Sequence, residues 1–283
     1  MPEVATRSRA DLFDRAAARL RRAGVIEPRR EALRLAEAAW RRSTAELLLQ
    51  RESPVEPAAG QAFDALVARR ASGEPLPYVL GTTGFRYLTL TCDSRALIPR
   101  PETEMLVDLV LERVSAGVAV DAGTGTGCLA LSLAREGSFE RVLAIERCPD
   151  ALSLARENAT RCGTAVDFVR GDFAGMLRPA SVDALVANPP YLTTGEYSLL
   201  DPSVAHWEPV EALASGADGL EATRRLVAQG QSVVRAGGWL ALEADAVRAD
   251  HVADIAHASG FFRVEVIKDL FERKRYVLAQ RRA

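Results

Sequence analysis

The fold is decided by residues 118–128, VAVDAGTGTGC, together with the run LALSLA that follows them at 129–134. The first part is an apolar, β-rich run as far as Asp121, and the second has the apolar spacing that begins a helix. Strand, glycine turn and helix in this order predict a doubly wound α/β fold, in which ligands bind at the carboxyl ends of the strands. Glycine suits the turn because a side chain there would keep a ligand away from the backbone.

The glycine spacing separates the possible cofactor classes. A dinucleotide fold favours Gly-x-Gly-x-x-Gly, whereas here Gly127 comes one residue early and Cys128 holds the expected place. Glu146 closes the next apolar run, VLAI at 142–145, where its carboxylate can accept hydrogen bonds from both hydroxyls of a ribose. Asp121, the glycine turn and this acid together resemble the class I S-adenosylmethionine methyltransferases.

A third candidate cofactor element is the pair Asp172 and Phe173, after the run VDFV at 166–169. In the fold that the resemblance implies, the end of the third strand faces the adenine. We therefore expect Asp172 to accept from the exocyclic amine and Phe173 to stack on the ring. The alternative is a solvated aspartate turn followed by a core phenylalanine.

The four residues Asn188, Pro189, Pro190 and Tyr191 follow the apolar run VDALVA at 182–187. The prolines have fixed φ and no N–H, and the residue before a proline is pushed to extended backbone, so a short rigid corner is predicted. This corner can direct the Asn188 side-chain oxygen and the Pro189 carbonyl at the two hydrogens of one NH2 group, with the Tyr191 ring against its plane. The alternative is a Pro-Pro turn with an exposed tyrosine.

Composition indicates a globular enzyme of 283 residues with 48% hydrophobic content. No stretch approaches the ~20 apolar residues of a membrane span, and the first ten residues have no apolar core of a signal peptide, so we expect a cytoplasmic protein. The four cysteines lack Cys-x-x-Cys spacing and the three histidines lack i,i+4 pairing, which argues against a metal site or disulfides. A net charge of −2 argues against direct nucleic-acid binding.

Three segments are predicted along the chain. Residues 1–75 read as a small helical bundle, because Leu12, Ala16 and Leu20 recur at helical spacing. Residues 76–95 are predicted as a linker region with a β-hairpin over 81–91 around Gly84. The connecting peptide itself is predicted at residues 73–78. Residues 96–283 are the catalytic domain. Its further elements are helices over 149–161 and 219–235, a strand over 239–242, and a final antiparallel pair, 261–267 and 276–279, that completes a seven-stranded sheet.

The chain resembles one methyltransferase family more specifically. Residues 97–104, LIPRPETE, the glycine turn, the corner at 188–191 and the later Glu208-Pro209 are similar to the release factor glutamine N5-methyltransferases, the HemK/PrmC family. The likeness runs from about Pro75 to the C-terminus.

The resemblance implies a function and assigns roles. Members use S-adenosyl-L-methionine, giving S-adenosyl-L-homocysteine, to methylate the glutamine of the Gly-Gly-Gln loop in class I peptide release factors. For this chain we expect a monomer that needs no metal, and the hypothesis for its N-terminal bundle is that it docks the release factor. Asn188, Pro189 and Pro190 would hold the glutamine amide beside Tyr191, and residues 99–103 would form a loop over the site. The implied cofactor residues are Asp121, Gly123, Thr124, Gly125, Thr126, Gly127, Glu146, Asp172, Phe173 and Asn188.

Two departures from the family pattern leave the acceptor open. Ala244 follows Glu243 where the family usually has glycine soon after the acid, and Glu272 stands where glycine is common. A paralogue with another acceptor protein is one alternative. A methyltransferase for an exocyclic amine of an RNA or DNA base is a second, because such amines are planar and conjugated in the same way. A cofactor-binding regulator with a vestigial site is a third.

Overall fold

The structure is a computed structural model that describes residues 7–282. The chain divides into two compact units. One unit contains residues 7–81 together with Pro202–Trp207, and the other contains Thr82–Asp201 with residues 208–282. Among the described residues no helix is long and apolar enough to cross a membrane.

The smaller unit is helical, as the amphipathic spacing predicts. Ser8 caps its first helix by accepting from the backbone N–H of Asp11, and Pro28 and Pro57 each open a helix at a position where proline needs no N–H donor. Its core includes Leu20, Leu35 and Phe63, which are fully buried. The helices are α1 Arg9–Arg22, α2 Pro28–Trp40, α3 Thr44–Leu49, α4 Pro57–Ala71, α5 Leu76–Leu80 and, from the later segment, α10 Pro202–Ala205.

The segment after this bundle differs from the prediction in two ways. The predicted linker is helical from Leu76 to Leu80, a helix that Gly81 ends in the left-handed conformation. The hairpin is present as β1 Thr82–Phe85 and β2 Leu88–Thr91, but its turn lies at Arg86-Tyr87. Gly84 instead pairs with Thr89 inside the ladder. The burial of Phe85 and Leu88 fixes the register, and a turn at Gly84 would move both out of the core.

Within residues 82–282 the larger sheet has seven strands in the order β5-β4-β3-β6-β7-β9-β8. All neighbours are parallel except β9, which is antiparallel to β7 and β8, as predicted for the closing pair. The strand order reverses at β3, which pairs with both β4 and β6. The strands are β3 Val118–Ala122, β4 Arg141–Glu146, β5 Asp167–Arg170, β6 Val182–Ala187, β7 Val234–Glu243, β8 Phe261–Lys268 and β9 Lys274–Arg281.

Helices cover both faces of this sheet, so alternate residues of each strand enter separate cores. Ala119 packs in one core, whereas Val120 and Ala122 pack in the other. The predicted helix over 219–235 ends at Val233, because Val234 already pairs with Val182 and begins the strand. The helices are α6 Pro101–Leu111, α7 Cys128–Glu136, α8 Pro149–Cys162, α9 Thr194–Tyr197, α11 Glu221–Val233 and α12 Ala249–Ala258, with a 3-10 turn at Val210–Ala212.

Candidate active site

A cavity of about 620 Å³ opens at the carboxyl ends of the strands around β3, where the strand order reverses. This edge is where open α/β sheets bind ligands, because the loops that leave neighbouring strands diverge there. The lining includes ten of the sequence-predicted residues: Gly123, Thr124, Gly125, Thr126, Glu146, Asp172, Phe173, Asn188, Pro189 and Pro190. Asp121, Gly127 and Tyr191 were also predicted but are not part of the lining.

The glycine turn owes its shape to left-handed backbone. Gly123 has φ 82° and Gly127 has φ 86°, a region where a Cβ atom is strained. The N–H groups of Gly123 and Thr124 both donate to the carbonyl of Ile145 on the neighbouring strand, at 2.8 and 3.0 Å. The turn is therefore tied to β4 and leads directly into α7, whose first residue is Cys128.

Asp121, which the sequence predicts as a cofactor residue, lies beneath the glycine turn. Its Oδ2 accepts from the Thr124 hydroxyl at 2.5 Å and from the N–H of Ala130 at 3.1 Å. Its Oδ1 is buried and has no hydrogen-bond partner within residues 7–282. Burial raises the pKa of Asp121 to about 7, and the bonds from Thr124 and Ala130 oppose that shift. The carboxylate thus holds the turn in place and does not face the cavity.

Glu146 stands at the end of β4 as predicted and reaches the cavity wall. One oxygen accepts from the N–H of Cys148 at 2.8 Å, and the other accepts from the N–H of Gly125 at 3.1 Å. A carboxylate has about four lone-pair sites, so both oxygens retain capacity for a ligand. The backbone bonds fix the carboxylate against the glycine turn.

Asp172 and Phe173 lie together at the cavity with a partner that the sequence did not suggest. Phe173 has φ 50° and is buried in a core cluster, and it also lines the cavity. The guanidinium of Arg225, on α11, lies 5.3 Å from the centre of the Phe173 ring and 3.5 Å from a carboxylate oxygen of Asp172. Arg225 thereby contacts both side chains at the cavity.

The corner after β6 places Asn188 in the cavity wall, and the side chains behind it form a chain of hydrogen bonds. Asn188 Nδ2 donates to Thr103 Oγ1 at 3.2 Å, and the Thr103 hydroxyl donates to Glu243 Oε2 at 2.7 Å. Pro189 is buried beside Asn188. Tyr191 lies outside the lining, and burial raises the pKa of its hydroxyl. The contact of the Tyr191 ring with a bound amide stays a prediction.

Residues 99–103, predicted as a loop over the site, are only partly a loop. Helix α6 begins at Pro101, so Thr103 lies in its first turn. Glu208 holds the residues that precede this helix. It accepts from the N–H of Ile98 at 3.2 Å and from the guanidinium of Arg100 at 2.7 Å. Glu208 is buried, and it holds residues 98–100 at the cavity wall.

Sequence reasoning did not single out Arg225, which lines the cavity, or Glu243, which accepts from Thr103 behind Asn188. Glu243 ends β7 in the way that Glu146 ends β4, and an acid that closes an apolar strand was an available signal. Arg225 lies on an ordinary amphipathic helix and had no such signal. Among residues 7–282, no group of three or more His, Cys, Asp and Glu side chains is placed to hold a metal ion.

Family comparisons match both units of the chain. Residues 11–81 match the family domain described as the PrmC N-terminal domain, and residues 101–203 match the methyltransferase small domain. The release factor glutamine methyltransferase of Deinococcus radiodurans is 41% identical, over 96% of this chain and 98% of that protein. That of Moorella thermoacetica is also 41% identical, over 93% of this chain and 95% of its own.

Solved structures share the fold at low sequence identity. The catalytic domain of hMettl16, in complex with an RNA hairpin, has a TM-score of 0.58 at 18% identity and covers 76% of this chain and 81% of that one. A methyltransferase from Pyrococcus furiosus has a TM-score of 0.53 at 18% identity and covers 70% of this chain and 90% of that one. At such identities the likeness extends to the fold alone.

Proposed function

Because this chain belongs to the release factor glutamine methyltransferase family, we propose that it transfers a methyl group to the side-chain amide nitrogen of the Gly-Gly-Gln glutamine in a class I peptide release factor. The methyl donor is S-adenosyl-L-methionine. The observation that carries the proposal is the corner at 188–190, whose three residues line the cavity at the end of β6, the strand beside β3. An NH2 group has two hydrogens, and this corner offers two acceptors.

The residues at the carboxyl edge fit the proposed cofactor. Glu146 has free lone pairs for two ribose hydroxyls, and Asp172 and Phe173 offer an acceptor and an aromatic face for an adenine. The backbone of the glycine turn leaves room for the methionine part because Gly123 and Gly125 carry no side chain. S-adenosyl-L-methionine, when bound, supplies an electrophilic methyl group on a sulfonium sulfur.

The chemistry follows from what an amide nitrogen lacks. Its lone pair is delocalised into the carbonyl, so it is a poor nucleophile and must be helped by its surroundings. Asn188 Oδ1 and the Pro189 carbonyl accept from the two N–H bonds and stabilise positive charge as it grows on nitrogen. They also align the nitrogen with the methyl group, which lowers the entropic part of the barrier. A carbon–nitrogen bond forms as the carbon–sulfur bond breaks, and one proton then leaves the nitrogen for solvent.

The alternative acceptor, an exocyclic amine of a nucleic-acid base, is not favoured. Relatives that match nearly the whole chain at about 40% identity carry the release factor name, whereas the RNA-bound neighbour shares only the fold. The chain's net charge of −2 also gives little attraction for a phosphate backbone.

The role of the helical unit is to dock the release factor. Three apolar side chains of this unit are largely exposed to solvent: Ile26 at 95%, Leu49 at 86% and Leu48 at 62%. Exposed apolar side chains on a small module favour a protein contact over a nucleic-acid contact. Binding energy from parts of the substrate that do not react can position the amide and raise the rate on the intact protein substrate.

The test is a labelled methyl transfer. The enzyme is incubated with tritiated cofactor and either an intact class I release factor, the same factor with the Gly-Gly-Gln glutamine changed to alanine, or ribosomal RNA. Label is expected on the intact factor alone. Equal labelling of the glutamine variant would place the methyl group elsewhere, and preferential labelling of RNA would overturn the assignment of the acceptor.

A further inference from the structure

Two buried side chains from distant parts of the sequence, Thr103 and Glu243, continue a series of hydrogen bonds that starts at Asn188. Thr103 is 2% exposed and Glu243 is 3% exposed, and the hydroxyl lies between the amide of Asn188 and the carboxylate of Glu243. Thr103 comes from the first turn of α6, and Glu243 is the last residue of β7. Burying a carboxylate costs free energy, so its placement here calls for a compensating role.

The direction of each hydrogen bond is fixed by the donor inventory. The Asn188 NH2 group only donates, an ionised carboxylate only accepts, and a hydroxyl has one proton to give. The Thr103 proton therefore goes to Glu243, and the Thr103 oxygen is left to accept from Asn188. A rotation of the amide by 180° would bring Oδ1 against Thr103 Oγ1 with no proton between the two oxygens.

We propose that Thr103 and Glu243 are positioning residues, which hold Asn188 with Nδ2 turned to Thr103 and Oδ1 presented as the acceptor for the substrate NH2 group; this inference rests on the function proposed above. The corner by itself fixes the backbone of Asn188. It does not choose between the two orientations of the amide, which have nearly the same shape. The ionised carboxylate makes that choice through the hydroxyl.

Protonation of Glu243 removes the requirement that Thr103 donate its proton to this residue. A neutral carboxyl group can donate to Thr103, and the Thr103 proton is then free to turn toward Asn188, where it favours Oδ1 on that side. Burial raises the pKa of Glu243 to about 7, so this change falls within the working range of pH. The other titratable and charged groups that act on Glu243 or respond to it are Arg100, Glu102, Cys128, Tyr191, Arg275 and Tyr276.

The kinetic test compares two variants of one residue. Thr103→Val keeps the shape of the side chain but removes the hydroxyl, and Thr103→Ser keeps the hydroxyl. We expect Thr103→Val to lower kcat about 10- to 100-fold, the usual effect of losing an orienting hydrogen-bond partner. The KM for the release factor and the Kd for the cofactor should change little. Thr103→Ser should stay within about threefold of the parent enzyme. Equal losses in the two variants would mean that Thr103 only fills space.

The pH profile tests Glu243. Below its pKa the carboxyl group is neutral and no longer holds the amide in one orientation, so kcat should fall as the pH drops through about 7. Glu243→Gln cannot titrate, and its kcat should lose this inflection. An unchanged inflection in Glu243→Gln would assign it to another group and remove Glu243 from the proposal.

A measurement without turnover separates this inference from the proposed function. The sequence contains two asparagines, Asn158 and Asn188, so labelling asparagine with 15N gives two side-chain NH2 signals in the whole protein. The Asn188 signal should shift with pH through about 7 and should move in Thr103→Val. Asn158 donates to the backbone carbonyls of Thr91 and Thr126 and serves as the internal control.

Each outcome bears on one of the two claims. An Asn188 signal that ignores both pH and Thr103→Val overturns the positioning role, whatever the enzyme methylates. A parent enzyme that shows the NMR shift but transfers no label to a release factor overturns the proposed acceptor and leaves the positioning role standing.

Discussion

The two halves of the cavity are built in different ways. On the cofactor side, backbone geometry does most of the work: Gly123 and Gly127 adopt left-handed φ, and Glu146 is fixed by two backbone N–H groups. On the acceptor side, the wall is a stiff proline corner whose one adjustable side chain, Asn188, is oriented by two buried side chains. The backbone of the glycine turn determines the shape of the cofactor side, whereas Thr103 and Glu243 orient the single amide of Asn188. Substitutions on the two sides should therefore separate binding of the cofactor from the rate of methyl transfer.

The largest expected effect is on the acceptor side. Asn188→Ala removes one acceptor from the reacting NH2 group, so kcat should fall about 10²-fold or more, as for other losses of one preorganised transition-state contact. The Kd for the cofactor, measured by calorimetry, should stay within about threefold, because the glycine turn and Glu146 are untouched. Near-normal turnover would end the assignment of Asn188 to the acceptor.

The next largest effect is expected on the cofactor side, where the Kd for the cofactor should change and kcat should not. Glu146→Ala should weaken cofactor binding by about 1.5–3 kcal/mol, roughly 10- to 150-fold in Kd, because the ribose hydroxyls lose a charged acceptor. Glu146→Gln is the matched control, since it retains one acceptor oxygen and should lose less. At saturating cofactor, kcat should be nearly unchanged. A variant with unaltered Kd would mean that the cavity holds no ribose at this position.

A smaller effect should follow from the backbone of the turn. Gly123→Ala places a Cβ at φ 82° and should cost about 1–2 kcal/mol in the free energy of unfolding, measured by denaturant titration. The added atom would lie 3.5 Å from the Phe173 ring, an ordinary contact, so the loss would come from backbone strain. Gly84→Ala is the control, because Gly84 lies in a strand with open space around it. Equal stability of the two variants would contradict the role given to the backbone.

The smallest effect is expected on the helical unit. Leu49→Asp should raise the KM for an intact release factor by up to about fivefold, since most single interface residues contribute modestly. It should leave the KM for a short Gly-Gly-Gln peptide unchanged, because the peptide lacks the docking surface. Tyr87→Asp, at a side chain 74% exposed outside that unit, is the matched control. Equal changes on protein and peptide would show that Leu49 is not part of a docking surface.

Sequence patterns succeeded where a short segment decides its own structure. The turn after Asp121, the acid at Glu146 and the corner at 188–190 all lie where the patterns predict, at strand ends facing one cavity. The doubly wound fold with its antiparallel closing strand is confirmed as well. In each case glycine or proline, or an apolar run that ends at a polar residue, restricts the chain locally.

Local patterns leave other choices open, and at Gly84 the prediction was wrong. Gly84 suggested a turn, but the ladder continued because Phe85 and Leu88 had to be buried. The carboxylate of Asp121 lies under the backbone and accepts from Thr124 and Ala130, and its contact with the cofactor stays a prediction. Tyr191 lies outside the cavity lining, and its contact with a bound amide stays a prediction. The direction of a side chain depends on neighbours that a single segment does not contain.

The sequence by itself determined the fold, the family and the strand ends at which the site lies, because periodicity, glycine and proline act within a few residues. Only the tertiary structure connected Asn188, Thr103 and Glu243 by hydrogen bonds. The first two are 85 residues apart and Thr103 is 140 residues from Glu243, so their contact exists only after the sheet has closed. The same burial raises the pKa of Glu243 to about 7, since that carboxylate is desolvated only in the folded chain.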